Sequence, residues 1–176
     1  MKMKKTRGII YLQLILSTFF LTVLDQWTKY LAVMHLQDQS DISLIDGVLS
    51  LHYLENRGAA FGVFQNRQGA FFVLTVVILA FILYVLWRMP VTKKYLPVRI
   101  LCFFLTSGAL GNLIDRIRLK YVIDFIYFSL IDFPVFNVAD IYVTVSMIVL
   151  LLLVLFYYKD EDDFAFLSPK MRGNDR

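Results

Sequence analysis

Residues 69–87 read GAFFVLTVVILAFILYVLW, a run of 19 residues without a charge. About 20 apolar residues in a helix cross the ~30 Å hydrocarbon core of a bilayer. Three further uncharged runs, at 8–24, 100–114 and 141–158, have the same character. Each run should be helical because an unpaired backbone group is too costly in lipid. The pattern predicts an all-α integral membrane protein with four transmembrane helices.

The composition of the whole chain agrees with lipid as its solvent. Of its 176 residues, 59% are hydrophobic and only 18% are charged. A water-soluble domain with that composition would be hard to keep monomeric. The net charge of +4 does not indicate nucleic-acid binding, because the basic residues flank the apolar runs and form no separate basic domain. The single cysteine, Cys102, lies within an apolar run and is interpreted as a small buried hydrophobe.

The basic residues predict the orientation of the helices, since cytoplasmic loops are enriched in Lys and Arg. One cluster precedes the first run and another links the second run to the third: Lys2, Lys4, Lys5 and Arg7, then Arg88, Lys93, Lys94 and Arg99. Both termini are therefore predicted to be cytoplasmic, and 32–68 and 115–140 to face outward. Arg116, Arg118 and Lys120 contradict this bias, and we interpret them as charges with a role at the outer surface.

The two outer segments differ in pattern. Segment 36–64 contains short alternating patches such as 48–54, which predict a small extracytoplasmic β-rich segment at the membrane interface. Segment 121–136 is rich in Phe, Tyr and Ile but is interrupted by two acids and a proline. That mixture is typical of an interfacial element, half in lipid and half in water.

Several polar residues lie where the apolar runs end. Asp25 and Lys29 are four residues apart at the outer end of the first helix, so they are predicted to form a structural ion pair. Asn112, Asp115 and Arg116 share one face at the end of the third helix by their three- and four-residue spacing. That face should point into the bundle. Small residues in the same place, Gly108, Ala109 and Gly111, predict close helix packing.

Two further acids are candidates for chemistry. Asp124 lies among large apolar residues, and Asp140 lies at the start of the fourth helix, where alone it would be interpreted as an N-cap or dipole partner. Both are predicted near the outer membrane boundary. Two acids held close together share one proton, and their apparent pKa values then move apart. Such a pair suits an acid/base protease, in which one carboxylate removes a proton from water while the other polarises the scissile carbonyl.

Other catalytic schemes fit the sequence less well. His35 and His52 have no serine elbow and no metal-ligand spacing around them, so no metal site is predicted. A dyad of Ser107 with Lys29 is possible, but Ser107 lies among small residues typical of helix packing. The segment GAAFG at 58–62 lacks the Lys that a phosphate-binding loop requires.

Taken together, five segments resemble the bacterial lipoprotein signal peptidases, also called signal peptidase II. They are LDQWTK at 24–29, ENRGAAFG at 55–62, GALGNLIDR at 108–116, VIDF at 122–125 and FNVAD at 136–140. The resemblance extends from about residue 8 to residue 158, in order and with matching spacing. One departure is Ser107, where the family often has Gly, a change between two small residues.

The resemblance implies a membrane-embedded aspartic endopeptidase that cleaves prolipoproteins on the amino side of a diacylglyceryl-modified cysteine. It implies that Asp124 and Asp140 are the catalytic pair. Substrate-binding or supporting positions would be Asn56, Gly58, Asn112, Arg116 and Asn137, and structural or supporting positions would be Asp25, Lys29 and Asp115. Membrane lipid and the cyclic peptide inhibitor globomycin are implied partners, and no metal or organic cofactor is implied.

The same resemblance suggests a location and a division of the chain. The protein would be a multi-pass protein of the bacterial cytoplasmic membrane, with its active site near the outer face. Residues 1–159 would form the four-helix transmembrane peptidase domain, and residues 160–176 a solvated cytoplasmic polar tail.

Two other functions are compatible with acids in a membrane. A small proton- or ion-coupled transporter also requires intramembrane Asp, Arg and Asn residues, but its relay should be spread through the bilayer. Here the polar residues gather at one interface. A non-catalytic membrane scaffold predicts instead that Asp124 and Asp140 can be replaced at no functional cost.

Overall fold

Four long helices dominate the computed structural model, which describes residues 2–58 and 68–168. They are α1 (Lys2–Leu36), α2 (Gln68–Arg88), α3 (Leu96–Arg118) and α4 (Val138–Phe156). Each is long and apolar enough to cross a membrane, which confirms the predicted four-helix membrane architecture. The first helix extends well beyond the uncharged run 8–24, because Asp25 and Lys29 pair with each other inside it.

Helix α3 is the centre of the bundle. Half of its span is buried, whereas only 11% of the spans of α2 and α4 is buried. Glycines of α3 allow α1 and α4 to approach it closely. A Cβ atom added to Gly108 would lie 2.6 Å from Ala139 O of α4, and one added to Gly111 would lie 2.5 Å from Asp25 Oδ2 of α1. The predicted role of these glycines in close helix packing is therefore confirmed.

A three-stranded antiparallel sheet covers one end of the bundle, which we call the sheet end. Strands β1 (Ile42–Ile45), β2 (Leu49–Asn56) and β3 (Val122–Tyr127) lie in the order β1-β2-β3. The first two strands fall in the predicted β-rich segment. The third was not predicted, because 121–136 was interpreted as one interfacial element.

Strand β3 depends on a partner distant in sequence. It pairs with β2 through partners such as Leu54 with Asp124 and Asn56 with Val122. Its own sequence does not alternate between apolar and polar residues, so the strand could not be predicted locally. A 3₁₀ helix, Ser129–Ile131, follows it. Leu130 and Ile131 are largely exposed there, as expected of an interfacial element. The interpretation of 121–136 as one interfacial element is therefore incomplete for its first half, which is a strand, and the interfacial position of its second half stays a prediction.

The sheet is fixed to α1 by a small apolar cluster. Ala32 and Leu36 of α1 are buried together with Ile123 and Phe125 of β3. Successive side chains of a strand point to opposite faces, so Asp124 lies on the face opposite to Ile123 and Phe125. Packing of β3 on α1 thus turns the side chain of Asp124 away from this cluster.

At the opposite end of the bundle, the chain after α4 is not a solvated tail. A 3₁₀ helix, Glu161–Leu167, packs against the helix ends, and its Phe166 ring lies edge-on to Tyr95 with centroids 5.3 Å apart. Tyr95 donates its hydroxyl to Asp163 O at 2.9 Å, and Lys94 forms an ion pair with the buried Asp163. The expectation of a solvated tail is wrong for this stretch, because its two phenylalanines are interspersed with the acids. Residues 169–176 lie outside the described residues.

Candidate active site

Asp124 is held in the middle of β3 by an asparagine from the neighbouring strand. Asn56 of β2 donates from Nδ2 to Asp124 Oδ2 at 2.8 Å. The other side-chain atom of Asn56, Oδ1, accepts a hydrogen bond from Gly58 N at 3.0 Å, which fixes which way the amide faces. Asp124 is only 1% exposed. The remainder of the ENRGAAFG motif, residues 59–62, lies outside the described residues.

Asp140 belongs to the hydrogen-bonded start of α4. Asn137 is the N-cap, and its Oδ1 accepts from Asp140 N at 3.0 Å. Asp140 is the third helical residue, and its Oδ2 accepts from Asn137 N at 3.1 Å. The two residues therefore form a capping box. Asp140 alone was interpreted as an N-cap or dipole partner; the N-cap is Asn137, because the helix begins three residues earlier.

Asn137 also connects the two acids. Its Nδ2 donates to Asp124 Oδ1 at 2.6 Å, while its Oδ1 and backbone N hold Asp140. Asn137 is fully buried, so these bonds do not compete with water. One residue thus orients a carboxyl group of the sheet and a carboxyl group of α4 toward each other.

A second asparagine supports the same pair from α3. Asn112 donates from Nδ2 to Asp140 Oδ1 at 2.7 Å, and its Oδ1 accepts from Asn137 Nδ2 at 3.1 Å and from Lys29 Nζ at 2.9 Å. Lys29 can only donate, so it fixes which side of the Asn112 amide faces Asp140. The spacing predicts that Asn112 lies on this polar face, but it does not predict the contact with Asn137.

The environment of Asp124 favours its protonated form. Burial, and then the nearby charge of Asp140, raise the pKa of Asp124 from 3.8 to about 7, while hydrogen bonds from Asn56 and Asn137 and the charge of Lys29 act in the opposite direction. Burial penalises a carboxylate because it loses the solvation of water. Asp124 therefore carries a proton over most of the acidic range, beside a second carboxyl group.

The predicted ion pair of Asp25 with Lys29 is confirmed, and a third charged residue, Asp115, joins it. Lys29 Nζ lies 3.0 Å from Asp25 Oδ2 and 2.8 Å from Asp115 Oδ2. All three side chains are almost completely buried. The spacing within α3 predicts that Asp115 shares a face with Asn112 and Arg116. It does not predict the contact with Lys29, because a contact between α1 and α3 does not follow from spacing within one helix.

A cavity of about 470 Å³ opens beside the two acids. Its polar side is formed by Asn56, Gly58, Arg116, Asp124 and Asp140, and its apolar side by residues 133–136 and by Ile141, Thr144 and Val145 of α4. The three α4 residues were not predicted from the sequence. The spacing of 141, 144 and 145 places them on one helical face, which is the only sequence signal that would have identified them.

Arg116 lies at the wall of this cavity with its guanidinium group held on two sides. Its Nη1 donates to Asn112 O at 3.4 Å, and its Cζ lies 4.5 Å from the centre of the Phe71 ring. A guanidinium group has five N–H donors, so further donors are available to a molecule in the cavity.

The alternative catalytic residues do not join the site. Ser107 donates its hydroxyl to Phe103 O at 2.7 Å within α3, as expected for packing. His52 is paired with Asp41 on the exposed surface of the sheet, and His35 bonds to Leu31 O. Over residues 2–58 and 68–168, no group of three or more His, Cys, Asp or Glu residues could hold a metal ion.

The arrangement of the acids is suited to hydrolysis of an amide bond. A buried carboxyl group, Asp124, and a partly buried one, Asp140, share a cavity wall, and Asp124 holds its proton near neutral pH. An ionised carboxylate can take a proton from water while a protonated one donates to a carbonyl oxygen. The apolar wall beside them offers contact for an apolar peptide or an acyl chain.

Comparisons with known proteins agree with this chemistry. A family model described as signal peptidase (SPase) II matches residues 17–156. A lipoprotein signal peptidase of Streptococcus pyogenes serotype M5 (strain Manfredo) is 41% identical over 136 residues, covering 77% of this chain and 88% of the relative. The same values hold for a lipoprotein signal peptidase of Streptococcus pyogenes serotype M1.

Two solved structures have a similar fold. One, a bacterial membrane enzyme solved by the in meso method at 2.3 Å resolution, has a TM-score of 0.71 and 30% identity over 85% of this chain and 92% of its own. Another, a bacterial membrane enzyme solved by the same method at 1.9 Å, has a TM-score of 0.70 and 30% identity over 82% of this chain and 94% of its own.

Proposed function

The chain belongs to the signal peptidase II family, and from this membership we propose that Asp124 and Asp140 are its catalytic pair. As a lipoprotein signal peptidase, the protein is an aspartic-type membrane peptidase that removes signal peptides from prolipoproteins. The observation that carries the assignment is that Asn137 hydrogen-bonds to both acids in the same buried site.

The division of labour follows from the surroundings of each acid. Asp124, with its pKa raised to about 7, acts first as the general acid. Asp140 accepts N–H donors from Asn112 and Asn137 on its two oxygens, and these bonds stabilise a carboxylate that serves as the general base.

The reaction then proceeds in two steps, attack by water and cleavage of the C–N bond, each accompanied by proton transfer. Asp140 takes a proton from a water molecule, whose oxygen attacks the scissile carbonyl carbon, while Asp124 gives its proton to the carbonyl oxygen. When the C–N bond breaks, Asp140 gives its proton to the leaving amine while Asp124 takes a proton from a hydroxyl of the tetrahedral intermediate, so the charge state of both acids is restored. Neither step requires a group that the two acids and water do not supply.

The cavity suggests how the substrate is held. Arg116 lines the cavity, and the N–H donors of its guanidinium group suit the carbonyl oxygens of an extended peptide. The apolar wall of residues 133–136 and Ile141 suits the lipid-modified residue or the signal peptide. The proposed cleavage point is the amino side of a diacylglyceryl-modified cysteine, with membrane lipid around it. Globomycin is proposed to occupy the same cavity.

The location of the site follows from the basic residues. The protein is a bacterial membrane protein, and the Lys and Arg clusters before α1 and between α2 and α3 support a cytoplasmic position for both termini. With an even number of crossings, the sheet end and its acids would then lie at the outer face of the cytoplasmic membrane.

The transporter alternative is not favoured. Among the described residues, the buried charged groups are Asp25, Lys29, Asp115 and Asp124 at the sheet end and Asp163 at the opposite end. Between these ends the described helices bury only hydroxyl groups, namely Thr106, Ser107 and Ser146. A proton or ion relay needs groups spaced across the bilayer.

Cleavage of a lipid-modified substrate tests the proposed function directly. Purified protein in detergent is incubated with a prolipoprotein that carries diacylglyceryl-cysteine and, separately, with the same prolipoprotein lacking the lipid. We expect mass spectrometry to find a product that begins at the modified cysteine, and no product from the unmodified chain. An intact lipid-modified substrate would contradict the function, and a cut elsewhere would contradict the proposed cleavage point.

A further inference from the structure

The buried ion cluster of Asp25, Lys29 and Asp115 is placed to act on both proposed catalytic acids. Each acid of the cluster makes one contact with a backbone amide outside its own helix. Asp25 Oδ1 accepts from Ala139 N at 2.9 Å, and Asp115 Oδ2 accepts from Ile123 N at 3.3 Å. Ala139 immediately precedes Asp140, and Ile123 immediately precedes Asp124.

The lysine makes a third connection. Lys29 Nζ bridges the two acids and also donates to Asn112 Oδ1 at 2.9 Å, and the other end of the same amide donates to Asp140. A lysine has donors only, so an Asn112 amide in the reverse orientation would direct N–H groups at an ammonium group. Lys29 therefore selects the orientation that presents a donor to Asp140.

We propose that Asp25, Lys29 and Asp115 are positioning residues for the peptidase reaction, holding the backbone directly before each catalytic aspartate and setting the Asn112 amide. This inference rests on the proposed catalytic pair and extends it. A simple structural ion pair would need only the contact of Asp25 with Lys29. The cluster instead joins α1 to the first turn of α4 and α3 to β3, which are the two elements that carry the acids.

Asp115 offers the cleanest test, because its two functions can be separated. Asp115→Ala removes one of the two acids that pair with Lys29, together with the acceptor for Ile123 N and Gln26 Nε2. Asp115→Asn keeps an acceptor of the same size but removes the charge. Thr106→Val is the matched control, since Thr106 is also buried in α3 and its hydroxyl bonds to Cys102 O within the helix, away from the acids.

We expect Asp115→Ala to lower kcat per folded molecule by about 10- to 100-fold, because displacement of a catalytic group by about 1 Å has effects of this size. KM should change little, since Asp115 does not line the cavity beside the acids. Asp115→Asn should retain several-fold more kcat than Asp115→Ala. Thr106→Val should keep the wild-type kcat per folded molecule even if its thermal stability falls.

A pH profile separates positioning from stability. The charged groups that surround Asp124 are Asp140 of α4, Lys29 of α1, and Arg116 and Asp115 of α3. Without Asp115, β3 is free to move Asp124 away from Asp140, and the Lys29 charge is less neutralised. Both changes favour ionisation of Asp124, so the alkaline limb of activity should move to lower pH.

The measurements are cleavage of the lipid-modified prolipoprotein across pH and the folded fraction in detergent, with wild type measured first. An inactive wild type would contradict the proposed function itself. With an active wild type, unchanged kcat and an unchanged alkaline limb in folded Asp115→Ala and Asp115→Asn would overturn the positioning role. Failure of both variants to fold would also count against it, by assigning the cluster to folding alone.

Discussion

Asn137 Nδ2 lies 2.6 Å from Asp124 Oδ1, although Asn137 begins a membrane-spanning helix and Asp124 lies in the middle of a strand. The bond joins two elements that share no regular hydrogen-bond ladder. Because the same asparagine caps the helix that carries Asp140, the first turn of α4 and the proposed catalytic pair form one hydrogen-bonded unit.

Replacing either proposed catalytic acid should abolish cleavage while the protein still folds. Asn keeps the size of Asp, but it can neither take a proton from water nor donate an acidic one. General acid/base catalysis by one group contributes about 100- to 10,000-fold, so Asp124→Asn and Asp140→Asn should each lose turnover on that scale. Cleavage of a lipid-modified prolipoprotein by the folded variants measures the loss.

The double variant and a surface acid provide the controls for this experiment. Residues that act as one unit are not additive, so the double variant should be hardly worse than either single variant. Asp132→Asn should be harmless, since Asp132 is exposed and its left-handed backbone (φ 48°) is one that Asn tolerates. Near-normal turnover in either single variant would remove that residue from the pair.

Activity should fall on the alkaline side of about pH 7. The pKa of Asp124 is raised from 3.8 to about 7, chiefly by burial, so the carboxyl group keeps its proton below this pH and loses it above. When both acids are ionised, no proton is available for the carbonyl oxygen. We expect kcat/KM to decline about tenfold per pH unit above the limb, which a pH series with a lipid-modified substrate would show.

Asn56 should set where that limb lies. Its hydrogen bond lowers the pKa of Asp124 by stabilising the carboxylate. Asn56→Ala should therefore move the alkaline limb to higher pH. A limb that stays in place, or moves to lower pH, would show that Asp124 is not the group that titrates.

The raised pKa of Asp124 also predicts how stability depends on pH. The folded protein binds this proton more tightly than the unfolded chain does, so the associated stability is complete below about pH 4 and is lost as pH rises through about 7. Asp124→Asn cannot titrate and should lose less stability over this interval. Thermal unfolding in detergent at several pH values compares the two proteins, and equal slopes would contradict the buried, protonated state.

Small-to-large changes at the α3 contacts should destabilise the bundle. Ala at Gly108 or Gly111 would bring a Cβ to within 2.6 Å of Ala139 O or 2.5 Å of Asp25 Oδ2, and forced overpacking costs about 1–3 kcal/mol. Gly69→Ala is the control, since no atom of the described residues lies within 4 Å of its added Cβ. It should be neutral or stabilise α2 by up to about 1 kcal/mol. Thermal unfolding in detergent distinguishes these outcomes.

The segment after α4 should contribute to stability and not to chemistry. Phe166→Ala removes the edge-on contact with Tyr95 and should cost about 1–3 kcal/mol, less than a fully buried Phe because Phe166 is only partly buried. Turnover of the folded protein should be unchanged. The 23 residues of α3 separate this segment from the acids at the sheet end by about 35 Å. Phe156→Ala, at a side chain 68% exposed, should be silent in both measurements.

The proposed orientation predicts that the C-terminus and the first sheet loop lie on opposite sides of the membrane. Reporters fused after Arg176 and within 38–47 test this, with an enzyme that is active only outside the cytoplasm paired with one active only inside. We expect the first fusion to report the cytoplasm and the second the outer side. The same side for both would exclude four crossings.

Features that depend on local spacing were readable from the sequence, and those that depend on distant contacts were not. The pair of Asp25 with Lys29 follows from a four-residue interval in one helix. Asp115 contacts Lys29, and β3 pairs with β2, across separations of tens of residues in the chain. Neither leaves a periodic trace in its own segment.

The start of α4 illustrates an intermediate case. The sequence Asn137-Val-Ala-Asp140 has the spacing of a capping box, but which residue is the cap depends on where the helix begins. The uncharged run begins after Asp140, so the sequence alone indicates an N-cap or dipole partner at Asp140, whereas the cap is Asn137 and Asp140 lies in the first turn. Side chains that line the cavity, such as Thr144, carry no chemical signal of their own and needed the structure.

The order of synthesis gives the capping box of α4 a further consequence. Asp124 and its partner Asn56 leave the ribosome before Asn137 and Asp140, and α4 is the last of the four helices. Until that helix enters the membrane and its first turn closes, Asp124 lacks both Asn137 and Asp140, and Asn112 has no Asp140 carboxylate to hold. With Asp124 and Asp140 as the proposed catalytic pair, the peptidase is expected to be inert throughout its own insertion and to gain activity only once α4 is in place.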